Sequence, residues 1–313
     1  MKWTDAPWVN FVALILVNLL WAIQYPAYKI AGDRMESAAL NFWTLVFAGL
    51  LVTPLWMRET ASETVVRFQW RTVLKFLALA ILGILPPSVM LSWGIARSSA
   101  SNASILSLTI PVLMTAMGVL MLREKLTATR LLSLSLGLVG TLLISTNDLA
   151  QASFEKRLLI GNLVILLAGL GSAFYNSYSK SLLSSYSELQ VLWYSYAIAT
   201  VACAAISAGF DSKPFYRVGG YGYATWGAVV ALGFLSWGIA MVLWMWVLKR
   251  LEVGQVSTSI YLLPLFGLIL STLTLHEHIT TSQVLGGGLT VAATAILTLY
   301  DRTAPTVSKS NAQ

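Results

Sequence analysis

Along this chain the apolar positions run together in long blocks instead of alternating with polar ones. Ten uncharged runs follow one another, at 9–28, 37–57, 76–96, 98–122, 131–147, 158–179, 189–210, 218–248, 253–275 and 279–300. Each reaches or approaches the ~20 residues that a helix needs to cross a hydrocarbon core. A helix that is apolar on every face has no side to offer to water. Only a helix or a closed barrel satisfies its own backbone in lipid, and blocks of this length, lacking strict alternation, predict helices. The expected fold class is therefore an all-α integral membrane protein with ten transmembrane helices. The run at 218–248 exceeds one crossing, and its start, Gly219, Gly220, Tyr221, Gly222 and Tyr223, predicts a loop before the helix proper.

Composition agrees: 57% of the residues are hydrophobic and 11% charged, against roughly 25% charged in soluble domains. The net charge of +7 is spread over the connections between runs and not gathered into a patch, which argues against nucleic acid as a partner and for a role in orientation. With the first run entering from the cytoplasm, thirteen of the 20 Lys and Arg residues fall on inside loops and tails and seven outside. The expected location is a bacterial-type inner membrane, multi-pass, with both termini cytoplasmic. Residues 1–8 lack a basic cluster and the first run is too long for a cleaved signal, so the first helix is expected to stay. The single cysteine, Cys203, lies in an apolar run and reads as packing; no metal motif and no cofactor are implied.

Sliding the chain against itself by 153 residues reveals a repeat. Leu122-Arg123-Glu124-Lys125-Leu126-Thr127 falls on Leu275-His276-Glu277-His278-Ile279-Thr280, Trp93 on Trp246, Arg97 on Arg250, Ser104 on Ser257 and Pro111 on Pro264. The expected units are 1–150 and 151–303, with 304–313 a flexible cytoplasmic tail. Five spans per unit is an odd number, so the second unit enters the membrane the opposite way round and the repeats are inverted. Arg123 and Lys125 on the expected inside against His276 and His278 on the outside fit that inversion. Inverted repeats suit alternating access, and the absence of a phosphate-binding loop points to secondary or facilitated transport.

Ten spans in two sets of five, the segment Trp21-Ala22-Ile23-Gln24-Tyr25-Pro26-Ala27-Tyr28-Lys29 and the twice-occurring Leu-x-Glu-x-Leu/Ile-Thr resemble the EamA family of the drug/metabolite transporter superfamily. The resemblance spans nearly the whole chain. It implies a carrier, with export the favoured direction, of amino acids, related metabolites or drugs through a central cavity between the repeats. The second unit departs from the pattern, reading Ser172-Ala173-Phe174-Tyr175-Asn176 without the tryptophan.

The residues themselves mark candidates. Asn18, Trp21, Gln24, Tyr25 and Tyr28 recur at i, i+3, i+4 spacing and form one polar, aromatic stripe; Ser172, Tyr175, Asn176 and Ser179 form a corresponding one on the sixth helix. Amides are costly in hydrocarbon unless satisfied, so the stripes face either neighbouring helices or a wet cavity. Ser88, Ser92, Trp93, Trp237, Met241, Trp244 and Tyr261 form a second candidate group, for which lipid-facing packing is the alternative. Together, Trp21, Gln24, Tyr25, Tyr28, Ser88, Ser92, Trp93, Tyr175, Asn176, Trp237, Met241, Trp244 and Tyr261 are the expected substrate-binding residues. Pro111 and Pro264 are either paired gates or static kinks. The ten runs hold no Asp, Glu, Lys or Arg, which favours a neutral or zwitterionic solute, or an organic cation held by aromatic faces. Lys29, Lys180, Glu124 and Glu277 at helix ends are gating or coupling candidates; protons as coupling ion would titrate Glu124, Glu277, His276 or His278, while helix-end pairing is the structural alternative for both glutamates. Expected partners are a small-molecule substrate and the lipid bilayer, with the chain a monomer or homodimer. An intramembrane enzyme and a non-transporting membrane receptor are the rival classes, the first weakened by having only two histidines, both in one short loop.

Overall fold

The computed structural model describes residues 6–32, 34–61, 70–98, 100–151, 155–210, 218–275 and 280–301. Those residues form helices and connections. Among the described residues, nine helices are long and apolar enough to cross a membrane, and a tenth is apolar but shorter. They are α1 (Pro7–Gly32), α2 (Ser37–Thr60), α3 (Trp70–Gly94), α4 (Ile105–Leu122), α5 (Ala128–Ile144), α6 (Leu159–Leu182), α7 (Glu188–Gly209), α8 (Tyr223–Arg250), α9 (Val253–Leu270) and α10 (Thr281–Tyr300). Large apolar side chains such as Leu120, 79% exposed, point outward, as a lipid-facing surface requires.

Successive helices run in opposite directions, so the bundle has a near end, where α1 begins, and a far end. Equivalent residues of the two halves sit at opposite ends. Arg97 lies over the Trp93 ring at 3.7 Å at the far end of α3, and Arg250 lies over the Trp246 ring at 3.7 Å at the near end of α8. The same cation–π pair, inverted, closes the equivalent helix of each five-helix repeat.

Irregular backbone recurs at equivalent places too. The widened turns of α3 begin at Leu79 and those of α8 at Leu232, 153 residues on. In α3 Pro86 and Pro87 lack the amide hydrogens an α-helix would use there. α4 turns at Leu108 and Thr109 before Pro111, and α9 tightens over Thr258–Tyr261 before Pro264, each proline excluding the carbonyl four residues earlier. Tyr261 donates its hydroxyl to the Leu108 carbonyl at 3.3 Å. Those positions are 153 residues apart, so this bond lies beside the axis relating the halves.

Helix bounds depart from the uncharged runs throughout, and at two of them a buried charge is involved. α5 begins at Ala128 because the Thr127 hydroxyl accepts the Arg130 amide and caps the helix; the apolar run starts three residues later. α6 extends to Leu182. Arg130 and Lys180 are therefore inside helix ends, where the uncharged runs had excluded them. Of the glycine-rich start of the eighth run, residues 219–222 lie before α8 as expected, whereas Tyr223, expected in that loop, is the first residue of the helix.

Candidate functional site

α1 breaks at Ile23, because Pro26 excludes the helix bond to Ala22. The break separates Trp21 from Gln24 and Tyr28, and it lies where α1 meets the widened segment of α8. The Trp21 indole donates to the Ser236 carbonyl at 3.2 Å, and Ser236 donates back to the Leu20 carbonyl at 2.9 Å. α8 thereby projects Trp237 and Trp244 to either side of the break.

Two chains of contacts run through these tryptophans. Trp244 packs on Trp21 with ring centroids 4.8 Å apart, and its indole donates to the Asn176 side chain at 2.7 Å. Asn176 is held by its own donation to the Ser172 carbonyl. Trp237 donates to the Tyr28 hydroxyl at 3.0 Å, Tyr28 donates to Asn41 at 3.3 Å, and Tyr196 donates to the Trp237 carbonyl at 2.7 Å. The stripes on α1 and α6 are thus joined through Trp244 of α8. Trp244 is 1% exposed, whereas Trp21, Gln24, Tyr28 and Trp237, further toward the far end, are only half-buried.

The remaining candidates are placed as follows. Met241 and Tyr175 are buried in the same core as Trp244, and Gly83 of α3 packs against the Tyr175 side chain, where a Cβ would come within 3.0 Å. Ser88 and Ser92 return their hydroxyls to carbonyls of their own helix. Trp93, 37% exposed, lies under Arg97 at the far end, apart from the cluster. Tyr261 is wedged against Gly137 of α5. Pro111 is buried in α4, and Pro264 half-buried in α9. The side chains of Tyr25 and Lys29 lie outside the described residues, as do Glu277 and both histidines. Asn41, Tyr196 and Ser236 join the cluster without having stood out in sequence; each is a small polar group in an apolar helix, a signal too common to select them.

Charges meet at the near end. The Glu124 carboxylate accepts the Val253 and Gly254 amides at 2.6 and 2.8 Å, so a residue of the first half caps the start of α9 in the second. Burial pushes its carboxyl above the ordinary value, against the pull of those amides and of Arg130. Arg130 is ion-paired with Glu252 at 2.6 Å and Asp301 at 2.8 Å. Lys180 donates to the Leu248 and Lys249 carbonyls at 2.8 and 3.0 Å, capping α8. Arg130, Glu252 and Asp301 escaped the sequence reading because each looked like an ordinary loop charge.

The sequence profile of the EamA-like transporter family matches residues 8–146 and again 159–299. The chain belongs to that family. It is a membrane transporter of the EamA type, as its relatives' names also indicate. It is 26% identical over 306 residues to a probable terminal-alkyne amino-acid exporter of Streptantibioticus cattleyicolor, covering 95% of this chain and 94% of that one. It is 23% identical over 279 residues to the uncharacterized transporter YoaV of Bacillus subtilis, covering 88% and 91%. A solved crystal structure shares the fold at a TM-score of 0.77 with 19% identity, over 93% of this chain and 96% of the other.

Proposed function

We propose that this EamA-type transporter is a secondary or facilitative carrier that exports small neutral or zwitterionic organic solutes, amino acids foremost, by alternating access around the Trp21–Trp244–Asn176 and Tyr28–Trp237 cluster. The observation that carries this reading is the join itself: Trp244 ties the aromatic stripe of the first half to the amide of the second, so a solute seated there touches both halves and can respond to their movement. Aromatic faces, an amide and hydroxyls give an apolar side chain, an ammonium group and a carboxylate something to bind without a fixed opposite charge. The relative named as a probable terminal-alkyne amino-acid exporter supports the same class. Loop charge supports a cytoplasmic near end in a bacterial inner membrane.

The purified protein in detergent should melt at a higher temperature with a neutral, apolar amino acid present, since a ligand of the folded state stabilises it. Trp244→Ala should abolish that shift while the variant remains monodisperse. An equal shift in Trp244→Ala removes the cluster from the binding site.

A further inference from the structure

The near end is fastened by charges that cross from one half to the other. Arg130, at the start of α5, is 2% exposed and reaches Glu252, between α8 and α9, and Asp301, at the end of α10. Its guanidinium also donates to the Lys125 carbonyl at 2.8 Å and stands 3.9 Å from Glu124, which holds the start of α9. Thr115 of α4 and Ser257 of α9 meet one layer deeper, 3.0 Å apart.

The inverted repeat supplies the comparison. The residue equivalent to Arg130 is Gln283, at the start of α10 and the far end. Both helices begin alike, with the amide of residue 130 or 283 bonded to the hydroxyl of Thr127 or Thr280. The side chains then part company: Arg130 crosses to the other half, while Gln283 turns back and accepts the Thr280 amide at 2.9 Å. Among the described residues, the far end joins the halves by a neutral contact, Asn102 donating to Asn162 at 3.0 Å.

We infer that Arg130 is the latch of the near end, an ionic tie between the halves that its uncharged counterpart at the far end does not reproduce, and that it makes the near-closed conformation the resting state of the empty carrier. This rests on the alternating-access reading above. When the halves exchange conformations, the guanidinium must leave two buried carboxylates, and its counterpart Gln283 carries no charge with which to form such a pair in return; the two closed states therefore differ in stability. Arg130 positions the gate and does not touch solute.

Accessibility of an introduced cysteine tests it. In a Cys203→Ser background, Ser257→Cys places a thiol just inside the latch, and a membrane-impermeant maleimide is applied to the near side of oriented vesicles. Labelling should be slow with Arg130 present and rise about tenfold or more in Arg130→Gln, with Arg130→Lys between the two because a lysine keeps the charge without the planar fork. Glu252→Gln, in which the guanidinium itself stays, should shift labelling the same way. Unchanged labelling in folded Arg130→Gln and Glu252→Gln overturns the latch. The assay needs no substrate: solute flux without a labelling change defeats the latch alone, and a labelling change without any flux upholds the latch and defeats the solute reading.

Discussion

At the scale of single residues, burial and pairing decide what a charge or an indole does here. Glu124 binds its proton more readily in the folded chain than at the ordinary 4.5, burial being the largest cause and Glu252 adding to it. A raised folded value means that the group's stabilising contribution is present at low pH and is lost as pH rises through that raised value. The melting temperature of the native protein should accordingly decline, relative to Glu124→Gln, as pH rises above 4.5; identical pH profiles for the two would contradict the assignment. Much of the cluster was legible at this scale. Trp21, Tyr28 and Asn176 stood out because helical spacing put polar and aromatic groups on one face of otherwise apolar helices. Arg130 did not, because sequence shows a charge beside a loop in the same way whether it ends in water or between two carboxylates.

At the scale of elements, the repeat carried further than the hydrophobic runs. An uncharged run marks a span but not its ends: the Thr127 cap, not the last charge, starts α5. The offset of 153 residues, in contrast, matched in sequence the residues that the structure shows in the paired Trp–Arg stacks and beside the paired irregular turns, because each half solves the same packing problem. The joint between the halves at α5 and α10 depends on glycine. A Cβ on Gly140 would come within 2.7 Å of the Gly286 carbonyl, and a Cβ on Gly286 would press on the Gly140 backbone in return, so the two helices touch backbone to backbone. Gly286→Ala must force them apart and should cost about 1–3 kcal/mol. Thermal melting in detergent checks this: a variant as stable as the native chain would show that the contact is looser than described. Gly288, two residues on and so on the opposite face of the helix, has open space around its Cβ position, and Gly288→Ala is the matched control, expected to melt no lower than the native protein.

At the scale of the whole molecule, the chain is two five-helix halves running in opposite directions, joined in the buried core through Trp244 and at the near end through Arg130. The ten-helix class and the inversion were readable from sequence, since lipid allows few ways to satisfy a backbone and an odd number of spans per unit fixes the sense of the second. Solute identity was not readable: an aromatic and amide surface accepts many small neutral or zwitterionic molecules, and what selects among them is shape at the level of single contacts. The central claim is carrier-mediated movement of such a solute across that cluster. Counterflow in proteoliposomes tests it most directly, with vesicles preloaded with an unlabelled neutral amino acid and the labelled form added outside. The account predicts transient accumulation of label that requires the protein and collapses to the empty-vesicle level in Trp244→Ala. Equal label in protein-containing and empty vesicles across the neutral amino acids, or undiminished counterflow in Trp244→Ala, would contradict it.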